Sequence, residues 1–261
     1  MSGHNGEVIQ ELVDRFNASQ DKIVVTATFQ GSYDDEINKL KAGFQSKDVP
    51  AVVQVYDIGT RLMIDLGVMA PMQSFIDAEK FDVSDIEPNV ANYYSVDGAL
   101  WSMPFNTSNP VLYYNKDLFK EKAAELRAAG LDPERPPRTW SEVLAYSKVL
   151  TEYRKDGTIK RVGFLPNYGN SWLYMYAFQN NASFLSPDGR TATMATPEAA
   201  EALQFMVDGY KIIGGYEEAS KFQATLKGGE NDPFIVGQIA MKIDGDWIIS
   251  GLARYAPSLN F

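Results

Sequence analysis

An α/β fold divided into two lobes is predicted by three observations. Helical and strand-like hydrophobic patterns alternate along the whole chain. Its 261 residues, 45% of them hydrophobic, suffice for one large or two modest domains. Between Pro104 and Pro110 lies a polar elbow, Phe105-Asn106-Thr107-Ser108-Asn109, directly ahead of an aromatic-rich strand and a capped helix. Each proline biases the preceding residue toward extended conformations, so the elbow cannot continue a helix. It reads as a crossover between lobes that offers hydroxyl and amide groups, and ligands favour such junctions.

The elements follow in order. Val8, Leu12, Val13 and Phe16 recur at helical spacing, Lys22 to Phe29 is β-branched and extended, and Ile37, Leu40 and Phe44 form a second apolar stripe. Pro50 opens the strand Ala51 to Tyr56. A helical segment around Gly59 to Leu66, a mixed region over 70–100, the elbow, the strand Val111 to Tyr114 and a helix from Lys116 to about Ala129 come next. The proline-rich stretch Leu131 to Arg138 is a rigid connector. Thr139-Trp140-Ser141-Glu142 reads as a capping box for a helix running to about Tyr153. Thr196-Pro197-Glu198 starts another helix, with Leu203, Met206, Val207 and Tyr210 on its inner face. Asn231-Asp232-Pro233-Phe234 opens a short helix, Ile239 to Ile243 forms a strand, and Asp244-Gly245-Asp246 leads into a last helix bearing Trp247. No internal repeat or low-complexity tract interrupts this order.

Composition narrows the chemistry. Lys+Arg of 24 against Asp+Glu of 34 gives a net charge of -10, which repels phosphate backbones and anionic membranes and argues against a nucleic-acid partner. No apolar run approaches the ~20 residues needed to span a bilayer. The start, Met-Ser-Gly-His-Asn-Gly-Glu, has neither a basic nor an apolar region, so the chain is expected to carry no export signal of its own. The absence of cysteine excludes disulfides, zinc-thiolate sites, iron-sulfur clusters and thiol nucleophiles. His4 is the only histidine, so a Ser-His-Asp triad would have to rest on it. With no GxGxxG, no phosphate-binding loop and no metal-ligand cluster, no cofactor is expected.

Carboxylates and aromatics remain. Asp57 follows the Val52 to Tyr56 strand, at the kind of strand end where α/β ligands sit; it either accepts from vicinal hydroxyls or caps the next helix. Tyr33 precedes Asp34-Asp35-Glu36 and is either a ligand contact or a half-buried tyrosine at a helix start. Trp172 and Trp247 flank glycine-containing turns, where each indole either covers the apolar face of a sugar or glycerol stem or packs in the core. Asp244 and Asp246 serve either as helix caps with hydroxyl binding or as the paired carboxyls of a glycosidase.

The motifs Val52-Val53-Gln54-Val55-Tyr56-Asp57-Ile58-Gly59-Thr60, Met103 to Asp117, Pro136-Pro137-Arg138-Thr139-Trp140 and Gly237-Gln238-Ile239-Ala240-Met241 with Trp247, in this order, resemble the family 1 extracellular solute-binding proteins of ABC importers. Within that family the likeness is to the binders of glycerol-3-phosphate. The resemblance implies an α/β, two-lobed periplasmic-binding-protein type fold (class II-like), with lobes over 1–109 and 110–261 that close on a ligand and dock on a membrane permease. It implies capture and delivery without bond breaking, hence no enzyme.

Residue by residue, Tyr33 matches a tyrosine that approaches the ligand, and Asp57 stands where the phosphate binders carry a glutamate for the glycerol hydroxyls. Ser108 matches the crossover serine, with Asn106 beside it. Trp172 matches one of two tryptophans lining the second lobe, and Tyr168 stands near the other. Asp244-Gly245-Asp246 departs from the phosphate binders, whose small residues donate to the anion there; two carboxylates repel a phosphate unless turned away or offset by a cation. Gly245-Asp246-Trp247 is instead similar to sugar binders of the same family.

The expected ligand is therefore glycerol-3-phosphate or a glycerophosphodiester, with an oligosaccharide as the alternative and a glycoside-active enzyme as a distant third. Relative to the family, the chain is expected to be incomplete at the N-terminus and C-terminus. Unpaired strand edges then predict pairing with a partner chain, element swapping or low stability. The full-length parent is expected in the periplasm or on the extracellular face of the membrane.

Overall fold

The computed structural model describes residues 3–169 and 171–261. They fall into two compact units, Met1–Thr107 and Ser108–Phe261, so the division lies inside the elbow.

Unit 1 is mainly helical: α1 (Gly3–Ser19), α2 (Tyr33–Ser46), α3 (Asp57–Asp65), α4 (Gln73–Glu79) and α5 (Pro88–Tyr93) precede a small hairpin of β1 (Ser95–Val96) and β2 (Ala99–Leu100). Ser32 starts α2 through a complete capping box: its hydroxyl accepts from Asp35 N–H, and the Asp35 carboxylate accepts from Ser32 N–H. Ile37 and Leu40 pack with Met63 into a small core. The expected strands over 22–29 and 51–56 are not formed. Both segments lack regular structure and have no ladder partner among the described residues, and a strand exists only where a neighbour takes its N–H and C=O groups. Asn17 answers one of these needs locally, donating to Val25 C=O and accepting Val25 N–H, both at 2.8 Å. Val24 and Val52 stay 83% and 87% exposed, and the α1 stripe of Val8, Leu12 and Phe16 is likewise exposed.

Unit 2 holds a four-stranded sheet in the order β3 (Val111–Tyr114), β6 (Ile239–Asp244), β5 (Ile159–Phe164), β4 (Glu152–Tyr153). β5 and β6 run parallel, with Val162 opposite Ile239, and β3 is antiparallel to β6, with Val111 opposite Asp244. Helices α6 (Lys116–Glu121), α7 (Ala123–Ala128), α8 (Trp140–Leu150), α9 (Leu173–Gln179), α10 (Pro197–Ile212), α11 (Tyr216–Gln223) and α12 (Ile249–Tyr255) complete the unit. Phe119, Leu126, Tyr146, Phe164, Trp172 and Met241 belong to its main core.

Several expectations are corrected here. β5, absent from the sequence reading, is central; it follows the Asp156-Gly157 turn, in which Asp156 accepts Thr158 N–H at 3.0 Å. The helix expected from Lys116 to Ala129 breaks at Lys122. α8 stops at Leu150 because Thr151 turns extended and its hydroxyl accepts Gly163 N–H at 3.0 Å, sending Glu152 and Tyr153 into β4. Gly163 permits that approach, since a Cβ there would lie 2.3 Å from the Ser147 carbonyl oxygen. The Thr139 box is half made: Thr139 caps Glu142 N–H, but the Glu142 carboxylate is taken by Arg135 and Arg138 N–H. The inner face of α10 is Ala202, Phe205, Met206 and Gly209 rather than Leu203 and Val207, because Gly209 seats the helix against Pro166. The expected helix at Asn231 is a single 3-10 turn, Gly229–Asn231, and Trp247 sits in a 3-10 turn, Asp246–Ile248, ahead of α12.

Candidate functional site

In unit 1 two helix starts bring aromatic hydroxyls and a carboxylate together. α3 begins at Asp57 itself, two residues earlier than the sequence suggests. Its N-cap is Tyr56, which makes no side-chain cap bond, so Asp57 is a first-turn acid rather than the cap. Tyr33, the first residue of α2, stacks on Tyr56 with centroids 5.2 Å apart. Gly59 makes room for that stack, since a Cβ would come within 3.2 Å of the Tyr56 ring. The Tyr33 hydroxyl is held above its ordinary pKa by burial and then by the charges of Glu36 and Asp57. Tyr94 is raised likewise by burial, Asp57 and the Tyr33 hydroxyl, which places Tyr33, Tyr94 and Asp57 in one electrostatic neighbourhood. Two phenols that stay protonated beside an exposed carboxylate present both donors and an acceptor to a hydroxylated ligand. Tyr56 and Tyr94 were not among the residues singled out from sequence, although Tyr56 adjoins Asp57 directly. Asn106 is exposed and lines a shallow groove of about 220 Å³ with Asp85, Glu87 and Thr107.

In unit 2 the candidates gather at the carboxyl ends of the parallel strands β5 and β6, where open α/β sheets place ligands. The antiparallel register brings the start of β3, just beyond half-buried Ser108, to the same end, since Val111 pairs with Asp244. Asp244 is 8% exposed, and both of its oxygens are engaged inside the fold. Oδ2 lies 2.9 Å from the ammonium of Lys242, and Oδ1 accepts Gly245 N–H at 3.0 Å. Asp246, by contrast, is exposed, and Trp247 beside it is 38% exposed. The Trp247 indole lies so close over Gly245 that a Cβ there would sit 2.1 Å from a ring carbon. The Gly245 carbonyl accepts the Tyr113 hydroxyl at 3.1 Å. Half-buried Tyr168 covers the Lys242 ammonium, 5.1 Å from its ring centroid, and its hydroxyl is pushed up by burial and then by Asp232 and Asp244.

Trp172 takes the core-packing alternative. It is 2% exposed within the main core, and its Nε1–H has no partner among the described residues. The paired-carboxyl alternative for Asp244 and Asp246 loses its first member in the same way, since Asp244 is held by Lys242 and Gly245. Lys242 was missed in the sequence; its signal is a lone charge inside the apolar strand Ile-Ala-Met-Lys-Ile. Among the described residues no group of three acidic, histidine or cysteine side chains is placed to hold a metal ion, and no helix is long and apolar enough to cross a membrane.

The sequence pattern of the bacterial extracellular solute-binding proteins matches residues 11–261. The chain belongs to that family. The chain is 36% identical over 189 residues to the sn-glycerol-3-phosphate-binding periplasmic protein UgpB of Brucella abortus, a match covering 70% of the chain and 40% of the relative. It thus spans less than half the length of that relative. Among solved structures it is similar to CpMnBP1 with mannotriose bound, with a TM-score of 0.80 and 26% identity over 100% of this chain and 64% of that one. An ABC substrate-binding protein from Listeria monocytogenes in complex with cycloalternan gives a TM-score of 0.79 and 26% identity over 96% of this chain and 61% of that one. The α/β architecture is that of periplasmic binding proteins.

Proposed function

We infer that this chain is the solute-binding component of an ABC importer, taking up a small polyhydroxylated ligand without chemical turnover and, in the full-length parent outside the cytoplasmic membrane, delivering it to permease subunits. The geometry favours an uncharged oligosaccharide. One observation carries this reading: at the strand end of unit 2, Lys242 is spent on Asp244, which leaves the Asp246 carboxylate and the Trp247 face open. Carboxylates accept from sugar hydroxyls, and an exposed indole suits the apolar face of a pyranose. Asp232 and Asp244 flank the one ammonium and exposed Asp246 adds a third negative charge at the same strand end, a balance that disfavours a phosphate. The sugar-bound state of the CpMnBP1 and Listeria structures supports the same reading.

Glycerol-3-phosphate is the second reading, favoured by the identity to the Brucella protein. Calorimetric titration of this chain with mannotriose, maltose, glycerol-3-phosphate and glycerophosphocholine separates the two. Saturable binding of a sugar alone is the expected result, and binding of the phosphates alone overturns it. Turnover of a glycoside, abolished by Asp246→Asn, would establish an enzyme instead.

A further inference from the structure

A lysine lies inside the sheet of unit 2. Lys242 sits in the middle of β6, a strand buried along its whole length, and is itself 1% exposed. Its ammonium lies 2.9 Å from Asp244 Oδ2 and 3.8 Å from Asp232 Oδ1, with the ring centroids of Tyr168 and Phe234 at 5.1 and 5.5 Å. A compact, strongly hydrated charge is expensive to bury, and paired carboxylates and aromatic faces are what allow it to remain ionised. Its strand neighbours Met241 and Ile243 and its ladder partner Tyr113 are apolar or aromatic, so sheet packing alone does not call for a cation here.

From Lys242 a chain of contacts reaches the surface. Asp244, paired with the ammonium, accepts Gly245 N–H at 3.0 Å; the Gly245 carbonyl is held by the Tyr113 hydroxyl at 3.1 Å; and the Trp247 indole rests on Gly245. We propose that Lys242 is a positioning and specificity-determining residue of the unit 2 ligand surface: its buried ammonium cancels the charge of Asp244 and locks the Gly245 turn. Trp247 is then presented in one orientation, and Asp246 is the carboxylate left to a ligand. This rests on reading the strand end as a ligand surface.

The charged and titratable groups facing the ammonium are Asp244 on its own strand, Asp232 on the segment leading into β6 and Tyr168 after β5, with Tyr113 its ladder partner on β3; Asp246 at the turn acts on the Tyr113 hydroxyl. Removing the Asp244 charge alone leaves the ammonium opposed only by the more distant Asp232, at 3.8 Å, and moves the local balance toward anions.

The test is a cycle of Lys242→Met, Asp244→Asn and the double variant in protein labelled with fluorotryptophan. It is read by fluorine NMR, with the Trp247 signal assigned by its loss in Trp247→Phe. Lys242→Met is expected to shift and broaden the Trp247 signal while the signals of Trp140 and Trp172 stay in place. The double variant, with both charges of the Lys242–Asp244 pair removed together, restores it, and so does Lys242→Arg. A Trp247 signal unmoved in Lys242→Met, or unrestored in the double variant, overturns the positioning role. Collapse of all four tryptophan signals in Lys242→Met, Lys242→Arg and the double variant alike also overturns it, by making the lysine a folding residue only.

Titration with mannotriose and glycerol-3-phosphate tests specificity separately. Asp244→Asn is expected to move the ratio of the two affinities about tenfold toward glycerol-3-phosphate, and an unchanged ratio overturns the specificity role. If the unsubstituted chain binds neither probe, the specificity role falls together with the ligand reading, and the fluorine cycle alone decides the positioning role.

Discussion

Gly245→Ala isolates the contribution of the Trp247 face. An added Cβ would lie 2.1, 2.2 and 2.4 Å from three carbons of the indole. Ordinary carbon contacts are about 3.5 Å, so the ring must retreat by about 1.4 Å. The backbone at Gly245, φ -94 and ψ 175, is open to any residue, so the substitution adds no backbone strain. Loss of unfolded-chain freedom stabilises the variant by about 0.4–1 kcal/mol, against an overpacking cost of about 1–3 kcal/mol. Trp247 is 38% exposed and can swing outward, which keeps that cost at the low end. Folding stability in urea is therefore expected to change by no more than about 1 kcal/mol, while affinity for mannotriose by calorimetry falls about tenfold, equivalent to about 1.4 kcal/mol. In a Trp247→Ala background the same glycine substitution should have no further effect on binding. Unchanged affinity, or equal losses with and without Trp247, would refute the reasoning.

Four other outcomes follow from the structure. The Glu152 carboxyl is held at about 2, from 4.5, by hydrogen bonds from Lys122 and Lys160 and the charge of Arg161. That corresponds to about 3 kcal/mol, reduced to about 2 by the solvent exposure of Lys160. This stability is complete above the ordinary carboxyl range and is lost as pH falls from 4.5 toward 2. The cost of Glu152→Gln in urea unfolding should accordingly narrow below pH 4.5, and a gap constant with pH would exclude linkage. Gly163→Ala drives a methyl against the Ser147 backbone at 2.3–2.7 Å and should cost about 3 kcal/mol, so an unchanged thermal midpoint would contradict the close approach of α8 and β5. Asp57→Asn should lower the pH at which Tyr33 and Tyr94 ionise in ultraviolet titration, because it removes a negative charge that raises both; no change would separate these residues. The exposed stripe of α1 and the unpaired segments over 22–29 and 51–56 should drive concentration-dependent self-association in light scattering, whereas a monomer with one sharp thermal transition would count against it.

Features set by neighbours along the chain were legible in the sequence. Thr139 and Thr196 cap their helices, the 104–110 elbow holds the division between units, and the strands at Val111 and Ile239 lie where their patterns put them. Each depends on local hydrogen bonding, φ restriction or hydrophobic period, all of which act within a few residues. The segments over 22–29 and 51–56 carry the same β-branched pattern as true strands, yet pattern supplies no ladder partner.

Tertiary structure alone decided which of two similar residues faces outward. Trp172 and Trp247 both adjoin glycine-containing turns, but the former packs in the core and the latter rests exposed on Gly245. Asp244 and Asp246 are likewise equivalent in sequence and opposite in role, because the pleat turns Asp244 to the same buried side as Lys242, two residues away, while Asp246 lies past the end of the strand. The family, the α/β class and the candidate residue types were therefore determined by the sequence by itself. The charge each side chain offers to a ligand depends on which distant groups reach it, and only folding brings Tyr168, Asp232 and Lys242 together.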